Sequence, residues 1–343
     1  MLHQYIERKT GEIITENLYH NSIINYIYSN IRENSKWMFN ALVSSRTSSL
    51  LAYINYDFPF GSFLSGGQKF IKQVGVNIEE CVNPSALTSA RKVFERQIKY
   101  DQYRPMSNDE EIVVSPADSR CIVGSFSNRN LVFLKNKFFC LKELLGKDKG
   151  EWISKFHNGD FAIFRLTPDK YHHNHAPVSG IVIDFYCIDG AFHSCNPNAT
   201  IIEASHCSKN RRVVTIIDTD VPGGTNAGVV AMIEVVALMI GDIVQCYSEF
   251  EYSNPKPVTI GLFLKRGQVK SLYRPGSSVD ILIFEKNRIR FDTDLIKNQS
   301  SPYAISRFSD AFGNPCVETD LDVRSSIATA ITAKNKARKK RSL

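Results

Sequence analysis

Three short segments carry side chains suited to acid–base and nucleophilic chemistry: Val114-Ser115-Pro116-Ala117-Asp118, Tyr171-His172-His173-Asn174-His175-Ala176-Pro177 and Pro275-Gly276-Ser277-Ser278-Val279. A serine hydroxyl is a weak nucleophile until a neighbouring imidazole takes its proton, and a carboxylate can hold that imidazole in the useful tautomer. Together the segments supply an acid, a base and a nucleophile. Each also has an ordinary reading. An aspartate after a Pro turn stabilises the turn, Gly-Ser-Ser forms a loop, and a histidine cluster packs or binds metal. Joined by His157, His193 and His206, the cluster can be read as the ligand set of a non-catalytic metal-binding or interaction protein. No cysteine or carboxylate at a recognised zinc spacing accompanies it, so no metal is expected.

The elements that must position these segments change character along the chain. In the first hundred residues Ile24, Ile27 and Ile31 recur at helical spacing, and Trp37, Met38, Leu42, Leu50 and Leu51 continue the apolar content. A loop rich in Phe, Pro, Gly and Ser spans Tyr56 to Gly67, and another helix is predicted from Ser85 to Ile98. From Glu111 onward, short runs of β-branched and aromatic residues alternate with Gly, Pro, Asn and Asp, as in Phe161 to Phe164, Gly180 to Tyr186, Val213 to Ile217, Val229 to Leu238 and Val279 to Phe284. The expected class is α+β: an N-terminal helical region over 1–105, a β-rich catalytic body over 106–324, and a basic tail over 325–343 with helical propensity in Ala328 to Ala337.

Charge and cysteine usage narrow the function classes. The net charge is +7, and six of the positive charges are Lys334, Lys336, Arg338, Lys339, Lys340 and Arg341, leaving +1 for the rest. The basic balance belongs to the tail and does not imply a nucleic-acid partner. Eight cysteines occur without a Cys-x-x-Cys pair, and the polar start Met1 to Glu16 has no secretory character. Reduced thiols in a cytoplasmic protein are expected. The most apolar run, Ala227 to Ile240, is interrupted by Glu234 and is too short to cross a bilayer.

The ordered motifs resemble those of the phosphatidylserine decarboxylases, from near the N-terminus to about Leu295. Tyr5 to Gly11, Phe94-Glu95-Arg96-Gln97 with Arg104-Pro105, Val114 to Asp118, Gly159-Asp160 with Phe164 to Pro168, the box Tyr171 to Pro177, Ser194-x-Asn196-Pro197 and Gly276-Ser277 follow in the family's order. The resemblance implies a self-processing triad of Asp118, His175 and Ser277, with cleavage between Gly276 and Ser277. Ser277 would become a pyruvoyl group, the electron sink for decarboxylation of phosphatidylserine to phosphatidylethanolamine. His172 would assist proton return to carbon, while His173 is given no role. The β chain, residues 1–276, and the α chain from 277 would stay associated, and the resemblance also suggests a homodimer.

The lipid substrate implies a cytoplasmic, peripheral membrane enzyme. The N-terminal helical region and the basic tail are the segments available for contact with the membrane surface. Three departures from the family pattern occur: Ser119 after the aspartate, Ser278 after the cleavage serine, and a longer stretch from Phe263 to Pro275 that carries Arg266, Lys270 and Arg274. They leave open the same chemistry on a free aromatic amino acid.

Overall fold

The computed structural model describes residues 2–16, 71–72, 74–126, 140–191, 193, 206–236, 242–275, 278–309 and 314–332. The helical reading of Ile24 to Leu51, the loop from Tyr56, the charged residues of the basic tail, and Gly276 and Ser277 themselves lie outside the described residues.

Sixteen strands are described. The N-terminal hairpin is β1 (Gln4–Glu7) and β2 (Ile13–Thr15). Then come β3 (Ile112–Val114), β4 (Ser119–Ser125), β5 (Asp160–Leu166), β6 (His173–His175) and β7 (Gly180–Ile188). The central run is β8 (Arg212–Asp218), β9 (Val229–Val236), β10 (Ile243–Gln245), β11 (Phe263–Leu264) and β12 (Val269–Tyr273). Last are β13 (Ser278–Phe284), β14 (Ile289–Phe291), β15 (Glu318–Leu321) and β16 (Ser326–Ala330). The helices are short: α1 (Ala90–Phe94), α2 (Tyr100–Tyr103), α3 (Leu141–Leu145), α4 (Gly150–Lys155), α5 (His206–Lys209) and α6 (Thr293–Gln299).

Ten strands form one sheet in the order β11-β7-β8-β9-β13-β5-β4-β15-β1-β2. Every residue of β9 and β13 is buried, because both faces of the sheet centre are covered. Side chains alternate between those faces. Val279, Ile281 and Ile283 pack with Leu144, Trp152 and Phe156 from the helical side. Leu282 and Phe284 point the other way, into a core shared with Ala176, Val178 and Tyr247. Two three-stranded sheets, β10-β12-β6 and β14-β16-β3, supply the remaining strands.

The β-rich body agrees with the sequence pattern, and three local expectations change. Residues 4–7 and 13–15 are strands, and β1 joins the large sheet through parallel pairing with β15. The helix expected from Ser85 to Ile98 contracts to α1, capped by Ser89, whose hydroxyl accepts the Lys92 N–H. Ala328 and Ala330 lie in a strand where their helix propensity pointed to a helical tail. Ile327 and Ala328 are fully buried, with β16 paired between β3 and β14, and that packing outweighs the weak intrinsic preference of alanine.

Candidate active site

Asp118 ends the tight segment between β3 and β4. The Ser115 and Ser119 hydroxyls both donate to the Ala117 carbonyl, at 2.7 and 3.1 Å, which satisfies a buried backbone acceptor and shapes the turn. The carboxylate is then enclosed by donors. Arg104 forks onto it, Nε to Oδ1 at 3.0 Å and Nη2 to Oδ2 at 2.9 Å, and the Val323 N–H donates to Oδ1 at 2.8 Å. Burial alone would raise the Asp118 pKa, but the Arg104 charge and these hydrogen bonds prevail and hold it down to about 2. Asp118 is a fixed negative charge.

His175 sits on β6, locked between the Asp118 turn and the stretch before β12. Its backbone N–H donates to the Pro116 carbonyl at 2.7 Å. Its Nδ1 lies 2.8 Å from the Gly267 carbonyl, an acceptor only, so Nδ1 carries the proton and Nε2 the lone pair. Gly267 presents that carbonyl from a left-handed turn (φ +76°) that side-chain-bearing residues rarely adopt. The Tyr171 hydroxyl faces Nε2 at 3.1 Å and lies 2.7 Å from the Tyr252 hydroxyl. Burial pushes the His175 pKa down to about 4, so the imidazole is neutral at physiological pH.

His172 precedes β6 and is fully buried against Phe94, with ring centroids 3.6 Å apart. Nδ1 donates to the Lys170 carbonyl at 2.8 Å, which leaves Nε2 basic, and Nε2 has no hydrogen-bond partner among the described residues. Burial, reinforced by the Arg96 charge, holds this imidazole well below the usual range. The segment before it is anchored by the Arg96 guanidinium on the Asp169 carbonyl at 2.7 Å and by a Lys170–Asp320 ion pair. His173 packs between the Tyr171 and Tyr252 rings, a packing role.

The cleavage segment is bracketed by described strands. β12 pairs with β6, Val269 opposite His175 and Leu272 opposite His173, and the Tyr273 N–H donates to the His172 carbonyl at 3.0 Å. β13 begins at Ser278, between Leu166 of β5 and Val236 of β9. Ala117, Leu166, Val236 and Tyr273 share one apolar cluster, so the Asp118 turn also packs against this junction. His172 thus lies beside Tyr273, four residues before Ser277, His175 lies opposite Val269, eight residues before it, and Asp118 follows Ala117, which packs with Tyr273.

The expected contact between Asp118 and His175 takes a different form. The carboxylate oxygens are occupied by Arg104 and Val323, and the Gly267 carbonyl takes the place of the acid on Nδ1. The link between the two motifs is the backbone bond from His175 to Pro116.

Sequence reasoning passed over Gly267, gave Tyr171 and Arg104 no role, and did not use Glu234. A lone carboxylate inside an apolar strand was a usable signal, since a buried charge must be paired. Glu234 is fully buried, and its carboxylate accepts from Lys270 Nζ at 2.7 Å, Gln245 Nε2 at 2.9 Å, Asn174 Nδ2 at 3.4 Å and the Ser271 hydroxyl. These donors come from all three strands of the β10-β12-β6 sheet, and the irregularity in β12 between Val269 and Ser271 lets two consecutive residues reach the same carboxylate. Glu234 pins the histidine-bearing sheet onto the large one.

Among the described residues, the one group with converging ligand atoms is His3, Glu16 and Glu318. There Arg165 forks onto both carboxylates, and Arg120 pairs with Glu16, so the charge is already balanced.

The family described as phosphatidylserine decarboxylase matches residues 90–308. The chain belongs to the phosphatidylserine decarboxylase family. A phosphatidylserine decarboxylase proenzyme of Fusobacterium nucleatum is 29% identical over 320 residues, covering 91% of this chain and 97% of the relative. Proenzymes of the same name from Chlamydia trachomatis and Vibrio vulnificus are 29% identical over 303 residues and 30% identical over 253. They cover 85% and 68% of this chain, and 90% and 85% of their own length. The span matched by the phosphatidylserine decarboxylase family holds Asp118, the histidine box and Gly276-Ser277, whereas Val323, which donates to Asp118, lies beyond it.

Proposed function

We propose that the chain cuts itself between Gly276 and Ser277 and then decarboxylates phosphatidylserine to phosphatidylethanolamine and carbon dioxide with a pyruvoyl group made from Ser277. Family membership and the proenzyme names of its relatives support this reading. The observation that carries it is the pairing of β6 with β12. That pairing sets His173 and His175 opposite Leu272 and Val269, five and eight residues before Ser277, and the box carries two neutral imidazoles, His172 and His175, whose Nε2 atoms carry lone pairs.

In maturation, His175 Nε2 takes the Ser277 hydroxyl proton, with the Tyr171 hydroxyl giving up its place. The serine oxygen bonds to the Gly276 carbonyl carbon, the Gly276–Ser277 C–N bond breaks, and the freed amine gains a proton. Loss of the Ser277 Cα proton with rupture of the Cβ–O bond leaves a Gly276 carboxylate and dehydroalanine. Tautomerisation and addition of water expel ammonia and leave a ketone. Asp118 stabilises positive charge developing on the nearby imidazole and, through Pro116, holds the strand that carries it.

The residues around 277 fit a small carbonyl group. His172 Nε2 and the Ser278 hydroxyl are buried polar atoms without hydrogen-bond partners among the described residues. The pyruvoyl group supplies an electron sink when the substrate amine is joined to it. His172 Nε2, with its lone pair, would take up a proton and pass it to carbon.

The two products interlock. The α chain contributes β13 between β5 and β9, β15 between β1 and β4, and β16 beside β3, so separating the chains would break the large sheet at two places. The substrate places the enzyme at a bilayer surface, and no helix of the described residues is long and apolar enough to cross one.

Intact mass spectrometry tests the proposal. The purified protein should contain two chains divided after Gly276, the shorter blocked at its N-terminus, and Ser277→Ala should remain one inactive chain. An active, uncut wild-type chain would overturn it.

A further inference from the structure

Two described side chains reach across the bond that the proposed reaction cuts. Tyr273 ends β12, and Asp280 lies three residues into β13. The Tyr273 hydroxyl donates to Asp280 Oδ1 at 2.8 Å and lies 3.1 Å from the Val279 carbonyl. Both residues are fully buried. Between them the chain passes from the small sheet to the large one, so this hydrogen bond ties the two layers at the point of crossing.

The surroundings show why the contact persists. Asp280 stands opposite Glu234 of β9 and Phe164 of β5 in the large sheet. The Glu234 carboxylate is already filled by Lys270, Gln245, Asn174 and Ser271. Among the described residues Asp280 makes no ion pair and its Oδ2 has no hydrogen-bond partner, although the Lys270 charge acts on it from nearby. Burial, with the Glu234 charge beside it, drives the Asp280 carboxyl well above the ordinary carboxylate range. Burial likewise keeps the Tyr273 hydroxyl protonated. The pair is a hydrogen bond between two fully buried side chains, where a hydrogen bond is electrostatically stronger than in water.

Serinolysis needs the Ser277 oxygen over the carbon of the peptide bond just before it, in a strained five-membered arrangement. A free loop visits that arrangement rarely, and holding its two ends raises the frequency. We propose that Tyr273 and Asp280 form a clamp across the scissile bond that positions the Gly276–Ser277 peptide for self-cleavage. The inference rests on the self-processing reading above and adds two positioning residues to it.

The test follows cleavage of full-length precursor made by cell-free translation, with the first-order rate read from a gel. Tyr273→Phe removes the hydroxyl, Asp280→Leu removes the acceptor, and Asp280→Asn keeps an acceptor oxygen of the same shape. Each substitution is also placed in the Ser277→Ala chain, so that its effect on folding is read as a melting temperature without cleavage. The clamp predicts cleavage slowed about tenfold or more in Tyr273→Phe and Asp280→Leu, within about threefold of wild type in Asp280→Asn, and no correlation between rate and melting temperature. Wild-type rates in Tyr273→Phe would overturn the clamp. Slowing that follows the melting temperature, with no rescue by Asp280→Asn, would reduce the pair to a packing role and overturn it as well. A wild-type chain that never cleaves would instead defeat the self-processing reading beneath it.

Discussion

Lys270→Met offers a direct measure of how firmly the histidine-bearing sheet is held. Lys270 and Glu234 are both fully buried and meet at 2.7 Å. Removing the ammonium leaves a carboxylate in the layer between two sheets, and breaking such a pair costs about 3–5 kcal/mol. Glu234 keeps donors from Gln245, Asn174 and Ser271, which places the expected loss at the lower end, about 3 kcal/mol. For a chain of this size that corresponds to a melting temperature lower by about 4 °C. The measurement belongs in the uncleaved Ser277→Ala chain, by thermal and urea denaturation. Glu234→Gln alone should cost a similar amount, because it strands the buried ammonium. Joined with Lys270→Met it should recover to within about 1 kcal/mol of the parent, since a neutral amide needs no counter-ion. A loss below about 1 kcal/mol for Lys270→Met, or additive losses in the double variant, would refute the view that this ion pair pins the two sheets together.

His175 is neutral down to about pH 4, so the rate of self-cleavage should be flat from about pH 5.5 to 8 in a quenched time course; a midpoint near 6.5 would mean that its burial has been misread. Asp118 contributes in the opposite region. Its folded pKa of about 2 lies below the ordinary 3.8, so its stabilisation is present above about pH 4 and is lost as pH falls towards 2. Asp118→Asn should therefore flatten the melting temperature profile across that window and slow cleavage at neutral pH. Gly267→Ala should cost about 1–2 kcal/mol from its left-handed backbone and slow cleavage by moving the carbonyl that fixes the His175 tautomer, read together as melting temperature and gel.

The β-rich body was legible in the amino-acid sequence because strand preference is a local property: runs such as Val279 to Phe284 declare a strand by composition. Asp118, the histidine box and Gly276-Ser277 each had an ordinary reading by residue type, and their roles came only as what the family resemblance implies. The interruption of an apolar run by Glu234 was also visible, although its meaning was not. Alanine in Ser326–Ala330 misled, because a weak helical preference is overridden once neighbouring strands bury it.

What only the tertiary structure decided is how these groups meet. Asp118 answers to Arg104 and Val323, and the His175 tautomer is set by a carbonyl from Gly267, 92 positions along the chain. Tyr273 crosses to Asp280, and four side chains from three strands converge on Glu234. Each of these partnerships joins strands from different sheets or turns, where sheet register and burial choose the partner. A one-dimensional pattern records which residues can form hydrogen bonds; the layer in which they are buried determines which ones do.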